Sequence, residues 1–133
     1  MSKPFRHRLR VRYSECDPQG VVFNANYLAY FDLTMTELWR ELGGYQAMVD
    51  AGVDMVVAEA RVRYRAPLRF DDEFEARVTV TNLGETSMSA ALELARDGET
   101  AAEGDLRYVF IETGGGAKQP IPDRIRDRLA SYA

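Results

Sequence analysis

The chain has 133 residues, about the size of one domain: long enough to bury a hydrophobic core, too short for two full-sized ones. Its 17 basic and 21 acidic side chains leave a net charge of -4, which excludes general affinity for nucleic acid and a basic membrane-surface character. The lone Cys16 excludes an intrachain disulfide and, with no histidine or second thiol beside it, makes a poor metal ligand, so no metal and a reducing compartment are expected.

At the amino terminus Phe5, His7, Leu9, Val11 and Tyr13 alternate with Arg6, Arg8, Arg10 and Arg12. That two-residue period predicts a strand with one buried face. Its arginine stripe reads as a solvated face, with contact to an anionic ligand as the alternative, and His7 falls on the apolar side as a core or interface residue. The stretch YSECDPQGVVFNANY follows, in which Asp17-Pro18 and Gln19-Gly20 are turn dipeptides and Asn24 and Asn26 stand where a side chain caps a helix. Tyr27, Tyr30, Phe31, Met35, Leu38 and Leu42 then recur at steps of three and four, predicting a helix of about four turns closed by Gly43-Gly44. A weaker helical piece, Tyr45 to Ala51, ends at Gly52.

Four more strands are expected. Val56, Ala58, Ala60, Val62 and Tyr64 alternate with Val57, Glu59, Arg61 and Arg63, and Phe74, Ala76, Val78 and Val80 with Glu73, Glu75, Arg77 and Thr79. Met88, Ala90, Leu92 and Leu94 form a third face; Leu106, Tyr108 and Phe110 a fourth, opposite Arg107, Val109 and Ile111. Asp97-Gly98 is a strong hairpin signal between the last two strands. A short helix opens at Pro122-Asp123 and runs through Ile125 and Leu129. The expected architecture is a single α+β domain over residues 1-133, an antiparallel five-stranded sheet wrapped around one long helix, with free sheet edges that invite pairing with a second copy. No stretch has the roughly 20 apolar residues that span a bilayer, and the start has no signal-peptide core, so a cytoplasmic protein without a membrane span is expected.

The loop motif and the element order together carry a resemblance. YSECDPQGVVFNANY before a long helix resembles the signature of hotdog-fold acyl-CoA thioesterases of the 4-hydroxybenzoyl-CoA thioesterase type, and VRYRAPLRFDDEFEARVTV and AEGDLRYVFIETGGGAKQPIP look like that family's second and third strands and its last strand and exit. The resemblance implies that Asp17 is the catalytic carboxylate, as nucleophile or general base, and that the main-chain N–H at Asn24 polarises the thioester carbonyl. It also implies that Gly20, Val21, Asn26 and Tyr27 border the substrate, that a homodimer or homotetramer shares its active sites, and that no cofactor is used. Where relatives often carry histidine at the helix start, this chain has Asn24, and its one histidine is His7.

The chemistry tolerates that departure. A thiolate leaving group has a conjugate-acid pKa of roughly 8.5 and needs little general-acid help, whereas carbonyl polarisation and an ionised nucleophile or base are needed, and helix-terminal N–H groups supply the first. Coenzyme A phosphates call for cations, for which Arg61, Arg63, Arg65, Arg69 and Lys118 are the candidates by position. The expected activity is acyl-CoA thioester hydrolysis. The alternatives are an acyl-carrier-protein thioesterase, a hydratase, for which His7 is poorly placed, and a non-catalytic acyl-binding module. Cys16, with no partner base, is expected to be a small apolar filler.

Overall fold

The computed structural model describes residues 3–133. Helix α1, Asn26–Glu41, is its axis, and the residues at three- and four-residue spacing, Tyr27, Tyr30, Phe31, Thr34, Met35, Leu38 and Trp39, are those it buries. Phe31 and Leu38 are fully enclosed, and each such side chain contributes about 1.5–3 kcal/mol relative to exposure. The one polar member, Thr34, donates its hydroxyl to the Tyr30 carbonyl at 2.7 Å, and among the described residues no buried side-chain nitrogen or oxygen goes unpaired.

The sheet wraps this stripe. Strands β1 (Phe5–Arg10), β2 (Val53–Tyr64), β3 (Glu73–Leu83), β4 (Ser87–Arg96) and β5 (Glu99–Glu112) lie in the order β1-β3-β4-β5-β2, every neighbouring pair antiparallel. The expected inner face is the observed one: Phe74, Ala76 and Val78 on β3, Ala90, Leu92 and Leu94 on β4, and Leu106, Tyr108 and Phe110 on β5 are all buried. Gly104, also inward, lies directly beneath the Phe31 ring of α1. A Cβ there would overlap the Phe31 ring and lie 2.8 Å from the Arg61 carbonyl oxygen. The β4–β5 hairpin turns at Asp97-Gly98, both with positive φ (51° and 81°), as a two-residue turn of this sequence requires. Helix α2 (Tyr45–Asp50) and helix α3 (Asp123–Ala130) complete the chain, α3 being tied to the end of α1 by Arg128, which donates to the Glu41 carbonyl at 2.5 Å.

Three expectations are corrected. The first strand ends at Arg10, and Tyr13–Glu15 instead forms a single turn of 3-10 helix. Neither Asn24 nor Asn26 caps α1 through its side chain. On β2 the pairing with β5 slips between Val57 and Glu59, so Ala58 is a bulge. Met55 and Val57, opposite Phe110 and Tyr108, face inward, and beyond the bulge Ala60, Val62 and Tyr64 do. Val56 therefore points outward with Val109, against the simple alternation.

The outer face is a lattice of charges. Arg6 pairs with Glu75 at 2.9 Å, Arg8 with Glu73 at 2.8 Å, Arg10 with Asp71 at 3.0 Å, and Arg77 bridges Glu75 and Glu93 at 2.7 and 2.8 Å. These guanidinium partners hold the Glu73 and Glu75 carboxyls below their ordinary value. The amino-terminal arginine stripe is thus a solvated strand face neutralised by β3.

Candidate active site

Between β1 and α1 the chain folds back on itself as a narrow loop. Cys16 and Val22 form an antiparallel bridge, the Asp17 N–H donates to the Val21 carbonyl at 2.9 Å, and the Phe23 N–H donates to the Glu15 carbonyl at 2.9 Å. Asp17-Pro18-Gln19-Gly20 is the tip, closed by the Gly20 N–H on the Asp17 carbonyl at 2.9 Å. Gly20 has a φ of 81°, a conformation that a side chain strains. The returning limb is anchored on the chain before β3: the Val22 N–H donates to the Leu68 carbonyl at 2.8 Å, and Val21 bridges to Arg69.

One oxygen of the half-buried Asp17, Oδ1, accepts the Gln19 N–H at 2.8 Å, so this carboxylate does brace its own turn. Among the described residues its second oxygen accepts no hydrogen bond, and it is open to a substrate or a water. Across the loop, the N–H groups of Asn24 and Ala25 also find no acceptor among the described residues, while the next two, Asn26 and Tyr27, donate to the Phe23 and Asn24 carbonyls at 2.9 and 3.3 Å. A carboxylate oxygen and unpartnered amides at the positive end of a sixteen-residue helix thus share one loop.

The expected site residues fall into three groups. Asp17, Gly20 and Val21 are at the loop tip and Asn24 at the helix entrance. Asn26 braces the loop, its Nδ2 donating to the Glu15 carbonyl at 2.8 Å, and Tyr27 is buried core, its ring packed edge-on against Tyr64 with centroids 5.1 Å apart. Arg61 and Arg63 project from the outer face of β2, away from α1, where Arg63 faces Asp105 at 3.5 Å and Arg65 pairs with Glu103 at 2.7 Å. Within one chain the fold does not bring Arg61 or Arg63 to the Asp17 loop. Of the five candidate cations, Arg69 is the one whose backbone pairs with it. Cys16 is half-buried against the core with its Sγ 3.8 Å from the Arg12 carbonyl, as expected of a filler.

Two residues at the site had no signal in the sequence. Tyr64 donates its hydroxyl to the Asn24 carbonyl at 3.0 Å and so orients the peptide beside the free amides. Glu15 collects donors from both limbs of the loop and from α1. Farther along the helix, a cavity of about 350 Å³ opens between α1 and the inner face of β2, lined by Asp32, Met35, Trp39, Met55, Val57 and Tyr108 among others. The described residues place no group of three or more His, Cys, Asp or Glu side chains where a metal ion could be held.

Residues 11–129, from the approach to this loop through α3, match the sequence profile of the thioesterase-like superfamily. The chain belongs to that superfamily. Among solved structures, a protein of Aquifex aeolicus superposes on this thioesterase-family chain with a TM-score of 0.89 at 28% identity, covering 95% of this chain and 99% of that one. A gentisyl-coenzyme A thioesterase does so with a TM-score of 0.85 at 25% identity, covering 94% and 99%. The acyl-CoA thioester hydrolase YbgC of Escherichia coli O157:H7 is 36% identical over 85 residues, 63% of either chain. The α+β hotdog fold expected from the loop motif and the element order is therefore the fold this superfamily member has, and the family expected from the loop is the one found.

Proposed function

We propose that the protein hydrolyses acyl-CoA thioesters, with Asp17 as nucleophile or general base and the main-chain N–H of Asn24 polarising the carbonyl. The observation that carries this is the pairing, in one loop, of a carboxylate oxygen with no hydrogen-bond partner among the described residues and unpartnered amides at the helix entrance. Those amides suit the developing oxyanion of an acyl transfer, and the thiolate needs no acid to leave. The YbgC relative's activity and that of the gentisyl-coenzyme A thioesterase support the same substrate class.

A homodimer or homotetramer completes the site in this proposal. Strand β2 is an edge strand of twelve residues with a free hydrogen-bonding edge, and Val56 and Val57 are 47% and 51% exposed on its two faces. Pairing there lays a second copy along the cavity between α1 and β2, whose apolar walls suit an acyl group. Arg61 and Arg63 reach coenzyme A phosphates in this reading only across such an interface, whereas Arg69 is at hand within the chain. The free thiol of Cys16 suits the reducing cytoplasm.

The test is thiol release from a panel of aromatic, short and long aliphatic acyl-CoAs and acyl-carrier proteins, by wild type and by Asp17→Asn. Asp17→Asn keeps shape and turn propensity but can neither attack nor accept a proton, so turnover should fall on the order of 10² or more while KM moves much less. Release from acyl-carrier proteins alone would assign the carrier-bound substrate, and no release from any member would favour the acyl-binding module. A folded Asp17→Asn with more than about a third of wild-type turnover would return the carboxylate to its turn.

A further inference from the structure

The half-buried Glu15 lies two residues before Asp17 and takes part in more hydrogen bonds than any other residue of the loop. Its carboxylate Oε1 accepts the Arg12 N–H at 2.8 Å and the Tyr30 hydroxyl at 2.8 Å. Its carbonyl accepts the Phe23 N–H at 2.9 Å and Asn26 Nδ2 at 2.8 Å. One residue thereby ties together the outgoing limb, the returning limb and the first two turns of α1. The Tyr30 ring that reaches it is 3% exposed and stacked, tilted, on Phe74 with centroids 5.0 Å apart, so the anchor on the helix side is fixed by the core. Burial and the neighbouring carboxylate raise the Tyr30 hydroxyl well above its ordinary value, so it remains a donor across the working pH range.

We propose that Glu15, through Tyr30, is the positioning residue that holds Asp17 in register with the unpartnered amides of Asn24 and Ala25. The tip carrying Asp17 is tied to the chain before β3 by backbone contacts, the Val22 N–H on the Leu68 carbonyl and the Val21–Arg69 bridge. The amides at the helix entrance belong to the turn that opens α1. Two side-chain bonds join the loop to α1, Asn26 Nδ2 on the Glu15 carbonyl and the Tyr30 hydroxyl on the Glu15 carboxylate, and the second runs to the turn of the helix that is buried in the core. Small misplacements of a reacting group cost rate far more than they cost binding. The inference rests on Asp17 being the reacting carboxylate.

The experiment uses four variants of the full chain, assayed on the best acyl-CoA of the panel with circular dichroism as the fold control. Tyr30→Phe deletes one oxygen, and Glu15→Ala deletes the acceptor; each should lower kcat by roughly tenfold with KM within about threefold, because orientation rather than affinity is lost. Glu15→Gln keeps an acceptor oxygen for both donors and should restore kcat to within about threefold of wild type. In an Asp17→Asn background, adding Tyr30→Phe should change the residual rate by less than about twofold, since the tie acts only through Asp17. Should Glu15→Ala fail to fold, Tyr30→Phe and Glu15→Gln carry the test. Wild-type kcat in Tyr30→Phe beside an inactive Asp17→Asn overturns the positioning role alone. Full turnover in Asp17→Asn overturns both readings and marks the carboxylate as the one that failed. An equal loss from Tyr30→Phe with and without Asp17 would make the tie a mere stabiliser of the fold.

Discussion

Asp17 and Cys16 are neighbours with different surroundings, and the difference decides what each can do. The thiol packs against the core, and its hydrogen-bond partner among the described residues is the Arg12 carbonyl rather than a base. Cys16→Ser should therefore keep turnover within about tenfold, a barrier change of ~1.4 kcal/mol or less. Complete inactivation, together with substrate-blocked stoichiometric labelling of the thiol, would make Cys16 a nucleophile instead. How far the site was legible follows from the same loop. Asp17 stands out in the sequence because a turn needs Asp-Pro and Gly at fixed places and because the loop resembles a family signature. Glu15 could not be found, because a glutamate between a serine and a cysteine looks like any solvated acid until Tyr30, fifteen residues on, comes to meet it. Asn24 and Asn26 do not cap α1 because the chain enters it through a turn at Asn24-Ala25, which puts Asn26 inside the helix and sends its side chain back to the loop.

At the scale of elements, helix stripe, strand faces and turns were legible because each has its own period, and what was lost was the register of β2. One extra residue at Ala58 exchanges the faces of everything before it, and no alternation pattern of valines and alanines announces where such a slip occurs. The Phe31 ring of α1 lies directly over Gly104 of β5 with no room for a side chain between them. Gly104→Ala would drive a methyl into Phe31 and toward the Arg61 carbonyl, so a loss of about 1–3 kcal/mol is expected, read as a lower midpoint in urea with an unchanged slope. An unaltered midpoint would show that α1 moves aside freely. The β1–β3 arginine–glutamate ladder makes a prediction of a different sign. Glu73 and Glu75 have folded-state values below the ordinary 4.5, so their contribution is present above that value and is lost as pH falls through the lower folded ones. Glu73 is exposed and Glu75 half-buried at the sheet surface, so the effect should be small and should shrink with added salt. A stability profile below pH 5 that is insensitive to ionic strength would assign acid unfolding to other groups.

For the molecule as a whole, the question is what covers β2. Light scattering at micromolar concentration should give a mass of at least twice the 15.0 kDa of one chain, and a monomer would sink the shared-site proposal. The two edges of the sheet are unequal. Strand β1 is six residues long and alternates arginine on its outer face, whereas β2 is twelve long and presents valines on both faces around a bulge. Charge and brevity protect the first edge from adding a stray strand, whereas the second is long and carries the charges of Glu59, Arg61 and Arg63 beyond the valine pair. If copies pair along β2 as proposed, a newly folded chain is in a race between finding its own kind in register and being captured by any extended segment nearby. The yield of active protein on refolding should then depend on how fast copies meet: poor when dilute chains wait too long with β2 bare, poor again when crowded unfolded chains offer too many wrong partners, and best between the two.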